Sequence, residues 1–373
     1  MREVLAIFRR EFAAYFATPV AAVFVSVFLA LAAALPFYLG RFYEIGQADL
    51  APFFAFHPWL YLFFAAAVAM RLWAEERRGG TLELLLTLPV STGEAVLGKF
   101  LAAWAFVGLA LALTFPLWLT VNWLGDPDNG AILAGYAGSL LLAGAFLAVG
   151  GCLSAATRNQ VVAFVAAVAV GLVLLLAGHD LVLDPLRGWG GQTLVDAVAS
   201  LSFLARFQSI ARGVVDLGDL MYFLLTIALW LAATARVVDL GRHGRDGARR
   251  GRLGGALGLA ALGTAFVVLP VALGAGVQGL RLDLTADRLY SLAPATRQLL
   301  ARPGEPIGLE LFQSRALGEA EPLLGTYAVR VRQLLGEMAA ASHGRVRLTV
   351  TDPEPFSADE DRAAELGLEA LQG

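Results

Sequence analysis

Residues 71–99 read RLWAEERRGGTLELLLTLPVSTGEAVLGK, and the interpretation of the whole chain turns on them. They follow directly on an apolar run that ends at Met70. A membrane span therefore stops where Glu75, Glu76, Arg77 and Arg78 and the paired glycines Gly79-Gly80 begin. Thr81-Leu82-Glu83-Leu84-Leu85-Leu86-Thr87-Leu88 comes next, bounded by Gly80 and Pro89. Thr81 suits the N-cap position and Glu83 sits near the positive end of a helix dipole, which predicts a short surface helix at about 80–89. With only Thr and Glu to offset its leucines, such a helix has to press on the membrane surface, on neighbouring helices or on another protein.

The composition agrees with a chain built for a bilayer. Apolar residues make up 58% of the 373 positions and charged residues 16%, outside the range of soluble domains. Uncharged runs long enough for a hydrocarbon core, which takes about 20 residues of helix, occur at 12–40, 50–70, 100–125, 129–157, 159–179, 220–235 and 253–280. Seven spans are expected. With the N-terminus inside, the basic residues that follow spans two, four and six fall on the cytoplasmic side together with Lys99, the only lysine. Only Arg41, Arg187, Arg206 and Arg212 remain in the outer loops, the asymmetry expected of this orientation. Arg2, Arg9 and Arg10 alternate with Val4, Leu5, Phe8, Phe12 and Tyr15 at helical spacing. That pattern predicts an amphipathic helix at the cytoplasmic interface rather than a cleavable signal.

On these residues the stretch from Met70 to Lys99 resembles the first cytoplasmic loop of ABC-2-type permeases, in particular the gliding-motility and nitrous-oxide-reductase-maturation branches. The resemblance implies an all-α polytopic permease of six transmembrane helices, here with a seventh. Its coupling helix is gripped by a separate ABC ATPase subunit, contacted through Glu75, Glu76, Arg77, Arg78, Gly80, Thr81, Leu82, Glu83, Leu84, Leu85 and Leu88. The alternative is an ordinary basic loop that holds topology by charge. The same resemblance implies a second permease copy as partner beside the lipid bilayer, no nucleic acid, and a place in a bacterial cytoplasmic (inner) membrane.

Residues 200–223, SLSFLARFQSIARGVVDLGDLMYF, resemble the short re-entrant outer helices of that family. The resemblance places re-entrant helices at about 190–215 and an outer gate at Leu201, Phe203, Leu204 and Phe207. A surface helix lying on the lipid headgroups is the alternative. Residues 239–252, DLGRHGRDGARRGR, lack apolar periodicity and read as a flexible cytoplasmic connector. Beyond the seventh span, 307–313 and 345–351 alternate as strands and 324–341 as a helix between them, an α/β arrangement with parallel strands. The stretches 280–300 and 352–368 resemble the extracytoplasmic domain of the auxiliary protein that accompanies the gliding-type permease. The expected organisation is a permease domain at 1–240, a linker at 241–253, a seventh span at 254–279 and a partial α/β extracytoplasmic domain at 280–373. Two strands are too few to close a stable sheet, so a truncated chain is expected.

Candidate chemistry in the chain itself is sparse. Gly93 to Lys99 has the spacing of a phosphate-cradling loop, but Phe100 stands where the magnesium-binding hydroxyl belongs and no strand precedes it. Gly98-Lys99 reads instead as an interfacial anchor whose lysine snorkels. His57, His179, His243 and His343 are scattered without paired spacing, Cys152 has no companion, and His57 beside Pro58 and Trp59 reads as an outer-interface residue. No catalytic residue, metal or cofactor is expected in this chain; ATP and Mg would sit on the partner ATPase. No Asp, Glu, Lys or Arg lies in the core of any expected span, which disfavours an ion-coupled carrier. An apolar or amphipathic cargo, or mechanical transmission without cargo, remains.

Overall fold

The computed structural model describes residues 2–368 except 41, 47, 83–86, 88, 189–190, 244–248, 277–280, 287, 289–290, 301–304, 315–321, 343 and 354–355. The chain divides into two units, Met1–Ala286 and Asp287–Gly373.

The first unit is a helical bundle. Its elements are α1 (Arg2–Phe16), α2 (Pro19–Tyr38), α3 (Phe42–Ile45), α4 (Ala51–Gly79), α5 (Thr92–Ala112), α6 (Phe115–Leu124), α7 (Asn129–Ala156), α8 (Gln160–Leu176), α9 (Asp180–Arg187), α10 (Gln192–Ala199), α11 (Phe203–Ala211), β1 (Val214–Asp216), α12 (Leu217–His243), α13 (Arg249–Gly276) and β2 (Arg281–Asp283). Among the described residues six stretches are long and apolar enough to cross a membrane: α2, α4, α5 with α6, α7, α12 and α13. Two bent pairs, α8 with α9 at 72° and α10 with α11 at 56°, bring the total to as many as eight. The helices α4 and α7 form the centre, with 67% and 72% of their apolar stretches buried, against 22% for α2 and 6% for α13. The centre of the bundle is built on Phe28, Tyr61, Trp73, Phe106, Phe203 and Tyr222, all fully buried or nearly so. Exposed Val23 and Val27 of α2 and Val161, Val165 and Val173 of α8 present the apolar outer face that a bilayer demands.

Local chemistry sets the breaks. The helix α4 stops at Gly79 because Gly80 takes a left-handed conformation, φ 71°, which glycine alone adopts without steric cost. Ser91 starts α5 through a complete capping box with Glu94. The third span is interrupted at Leu113–Thr114, where Pro116 at the second position of α6 cannot continue the preceding hydrogen-bond ladder. The stretch at 239–252 is not one extended connector: α12 runs through to His243 and α13 begins at Arg249, leaving only 244–248 between them, outside the described residues.

Hydrogen bonds between elements sort the helix ends into two sets. At one end, Ser154 of α7 accepts from the amides of Trp73 and Ala74, Arg77 donates to the Val237 carbonyl and Thr92 bonds Asp239. At the other, β1 pairs with β2 and the Ala286 amide bonds Asp128 at the start of α7. The α8–α9 bend and the α10–α11 pair lie at the second end.

The second unit holds α14 (Pro294–Leu300), β3 (Ile307–Phe312), α15 (Pro322–Ala341), β4 (Val346–Thr351) and α16 (Ala358–Glu365). Strands β3 and β4 are parallel, in register from Ile307 opposite Val346 to Phe312 opposite Thr351, with α15 as the crossover. Arg362 of α16 bonds Glu310 of β3 at 2.6 Å.

Candidate functional site

The N-terminal helix is not merely laid on an interface. It packs lengthwise on α5, running in the same direction, and three contacts fasten it. Gly98 lies so close to Ile7 that an added Cβ would stand 2.8 Å from the Ile7 Cγ2. Tyr15 stacks on Phe106 at 4.6 Å. Between them Lys99 reaches Glu11 at 3.1 Å and Glu76, near the end of α4, at 2.6 Å.

Lys99 is 2% exposed and its ammonium also lies over the Trp73 ring at 5.5 Å. The expectation of a snorkelling anchor is overturned. A cation this deep survives because two carboxylates converge on it, and the surrounding aromatic wall keeps water from competing. Arg10 completes the cluster, bonding Glu11 and standing 4.0 Å from Glu76. Two cations and two anions balance. Burial alone would raise the Glu11 carboxyl, but Lys99 and then Arg10 hold it below its ordinary value. The cluster therefore joins α1, α4 and α5, and in the sequence the leucine-rich stretch 81–88 falls between its Glu76 and Lys99. Sequence reasoning passed over Glu11 and misjudged Lys99. The only visible signal was the chain's sole lysine directly after a glycine at the head of a span.

The residues assigned to ATPase contact divide into three groups. Glu75, Arg78, Gly80 and Thr81 are exposed, with Glu75 held by Arg71 at 3.0 Å and the Thr81 hydroxyl donating to the Glu76 carbonyl at 3.5 Å. Glu76, Arg77 and Leu82 turn inward, to Lys99, to the Val237 carbonyl and to the apolar core respectively. Glu83, Leu84, Leu85 and Leu88 lie outside the described residues. Gly93 to Lys99 is helical within α5, so no phosphate-cradling loop exists there.

At the opposite end, Phe203 and Phe207 of the expected gate are 0% and 1% exposed, and Leu201 and Leu204 pack partly buried against the same core. Phe203 meets Phe146 at 5.2 Å and Phe223 at 6.0 Å. The α11–α12 corner is pinned by polar contacts: Arg206 to Asp219 at 2.8 Å and the Tyr222 hydroxyl donating to the Leu201 carbonyl at 2.6 Å.

His57 does not sit at an outer interface. It is fully buried between α2, α4 and α7, its Nδ1 2.7 Å from the Ser139 hydroxyl and its ring against Phe53 at 4.4 Å. Hydropathy places a residue along a span but says nothing about which way it faces, and His57 faces inward.

Residues 5–186 match the family described as ABC-2 family transporter protein. Residues 286–373 match a family described as a domain of unknown function (DUF7088). No curated protein matches the chain at a significant level. The first match takes in α1 to α8 and nearly all of α9, and the second begins at the last residue of the membrane unit. The chain is thus a multi-pass membrane protein whose residues 5–186 are similar to an ABC-2 transporter domain.

Proposed function

We propose, taking residues 5–186 as an ABC-2 permease domain, that this chain is the membrane subunit through which a separate ATPase drives movement of a hydrophobic or amphipathic substrate across the bilayer. One observation carries the reading. The matched residues include those that lock α1, α4 and α5 together by the Lys99 cluster, and in the sequence the leucine-rich stretch 81–88 falls between Glu76 and Lys99 of that cluster. Closure of the ATPase would push on 76–88, and the cluster would pass that push to α1, α4 and α5 as one body. The chain itself performs no chemistry. It pairs with a second permease copy, in a bacterial cytoplasmic membrane with the N-terminus inside, and belongs with the gliding-motility and nitrous-oxide-maturation branches. Residues 287–373 then lie outside, as a domain like that of the auxiliary gliding protein.

The residues buried at the gate support an outward-closed state in this reading. A second reading is an ATP-driven mechanical scaffold that moves a surface domain without cargo. It is favoured by the strand pair β1–β2, which fastens the chain leaving the bundle to the gate corner.

The two separate in liposomes. The full chain co-purified with its ATPase is reconstituted, and ATP hydrolysis is measured alongside displacement of labelled lipids. Hydrolysis with lipid movement is the expected result. Hydrolysis that moves none of the labelled lipids would favour the scaffold, and absence of any co-purifying ATPase would overturn both.

A further inference from the structure

The chain leaving α13 does not run straight into the second unit. Arg281–Asp283 forms β2, antiparallel to β1, with Val214 opposite Asp283, Val215 opposite Leu282 and Asp216 opposite Arg281. The pairing continues one step further, the Leu284 amide donating to the Gly213 carbonyl at 2.9 Å. Asp128 holds the next residues. One of its oxygens caps α7 by accepting from the Ala131 amide at 3.0 Å, and the other accepts from the Ala286 amide at 3.1 Å.

A two-stranded ribbon of three residues is marginal alone. This one is seated by close packing. Gly213 stands at φ 92° with the Thr285 methyl 2.8 Å from where its Cβ would be, and Thr285 is buried. Gly130 is tighter still: a Cβ there would lie 1.6 Å from the Leu284 carbonyl oxygen. The two glycines admit the strap from either side.

What the strap holds matters more than how it is held. Strand β1, with Arg212 and Gly213, is the link between α11 and α12, and the corner it spans is closed by Arg206–Asp219, which ties α11 to α12, and by Tyr222–Leu201, which ties α12 to the residues just before α11. We propose that residues 281–286 form a strap that restrains the α11–α12 corner, so that load on the domain following Ala286 reaches these helices, and their movement reaches that domain. The functional meaning rests on α10–α11 being the outer gate; the restraint itself does not.

The test is hydrogen exchange on the full chain in lipid nanodiscs, without nucleotide. Gly130→Ala suits it, because alanine favours the helix it enters while expelling the strap. Exchange in 214–216, 281–283 and α11 should quicken about tenfold or more, with α4 unchanged. A disulfide between Val215→Cys and Leu282→Cys, in a Cys152→Ala background, should slow it again. Strands that open while α11 stays as it was would overturn the proposal, as would strands indifferent to Gly130→Ala. If Gly130→Ala loosens α4 as well, the disulfide alone decides: oxidation must slow α11 relative to the reduced chain, and no change would overturn the strap. Failure here leaves the permease reading untouched, and failure of an ATPase to co-purify leaves this result standing.

Discussion

Lys99 is the residue on which the cytoplasmic-end argument depends, since it is a full charge held at 2% exposure by Glu11 and Glu76. Replacing it by Met would leave the two largely buried carboxylates of Glu11 and Glu76 with Arg10 as the cluster's remaining cation. Removing one partner from a buried ion cluster costs about 3–5 kcal/mol, so Lys99→Met should lower the melting temperature of the detergent-purified chain clearly, and adding Glu11→Gln should recover part of the loss. The pH dependence has a definite sign. Glu11 is held below its ordinary value, so its contribution is fully present above about pH 4.3, the unperturbed glutamate value, and is lost as pH falls through the depressed one. Acidification should release α1 in the natural chain and have little further effect in Glu11→Gln, as read by melting temperature against pH. Single residues were the least legible part of the sequence. Lys99 and His57 were both assigned to interfaces because hydropathy fixes depth along a span and not direction around it.

Among elements, the α1–α5 seam makes the sharpest demand. A larger side chain at position 98 would collide with Ile7, so Gly98→Val should undock α1. Ile7→Cys in a Cys152→Ala background should then react with maleimide, whereas with Gly98 retained it should resist. At the other end Phe203→Ala empties a ring packed against Phe146 and Phe223 and should cost about 3–5 kcal/mol. The spans themselves were largely legible, because an apolar run bounded by charge has few other fates in water or lipid. The ends were less so. Helix α12 runs eight residues past the apolar stretch at 220–235, continuing through Gly241 to His243. Pro116 follows a break in its span, which no apolar run reveals.

For the whole molecule, the α/β character of the tail was readable from alternation in 307–313 and 345–351. The joint at 281–286 was not, because a three-residue strand carries no periodic signal and its partner lies far back at 214–216. Glu83, Leu84, Leu85 and Leu88 lie outside the described residues, and the leucine-rich stretch is tested best by experiment. The affinity-tagged chain would be purified from its native membranes and the ATP hydrolysis carried with it measured, for the natural sequence and for Leu84→Asp and Leu85→Asp. The account predicts ATPase activity with the natural chain, and its loss in both variants while they remain inserted in the membrane. Equal activity in the variants, or none with the natural chain, would contradict it.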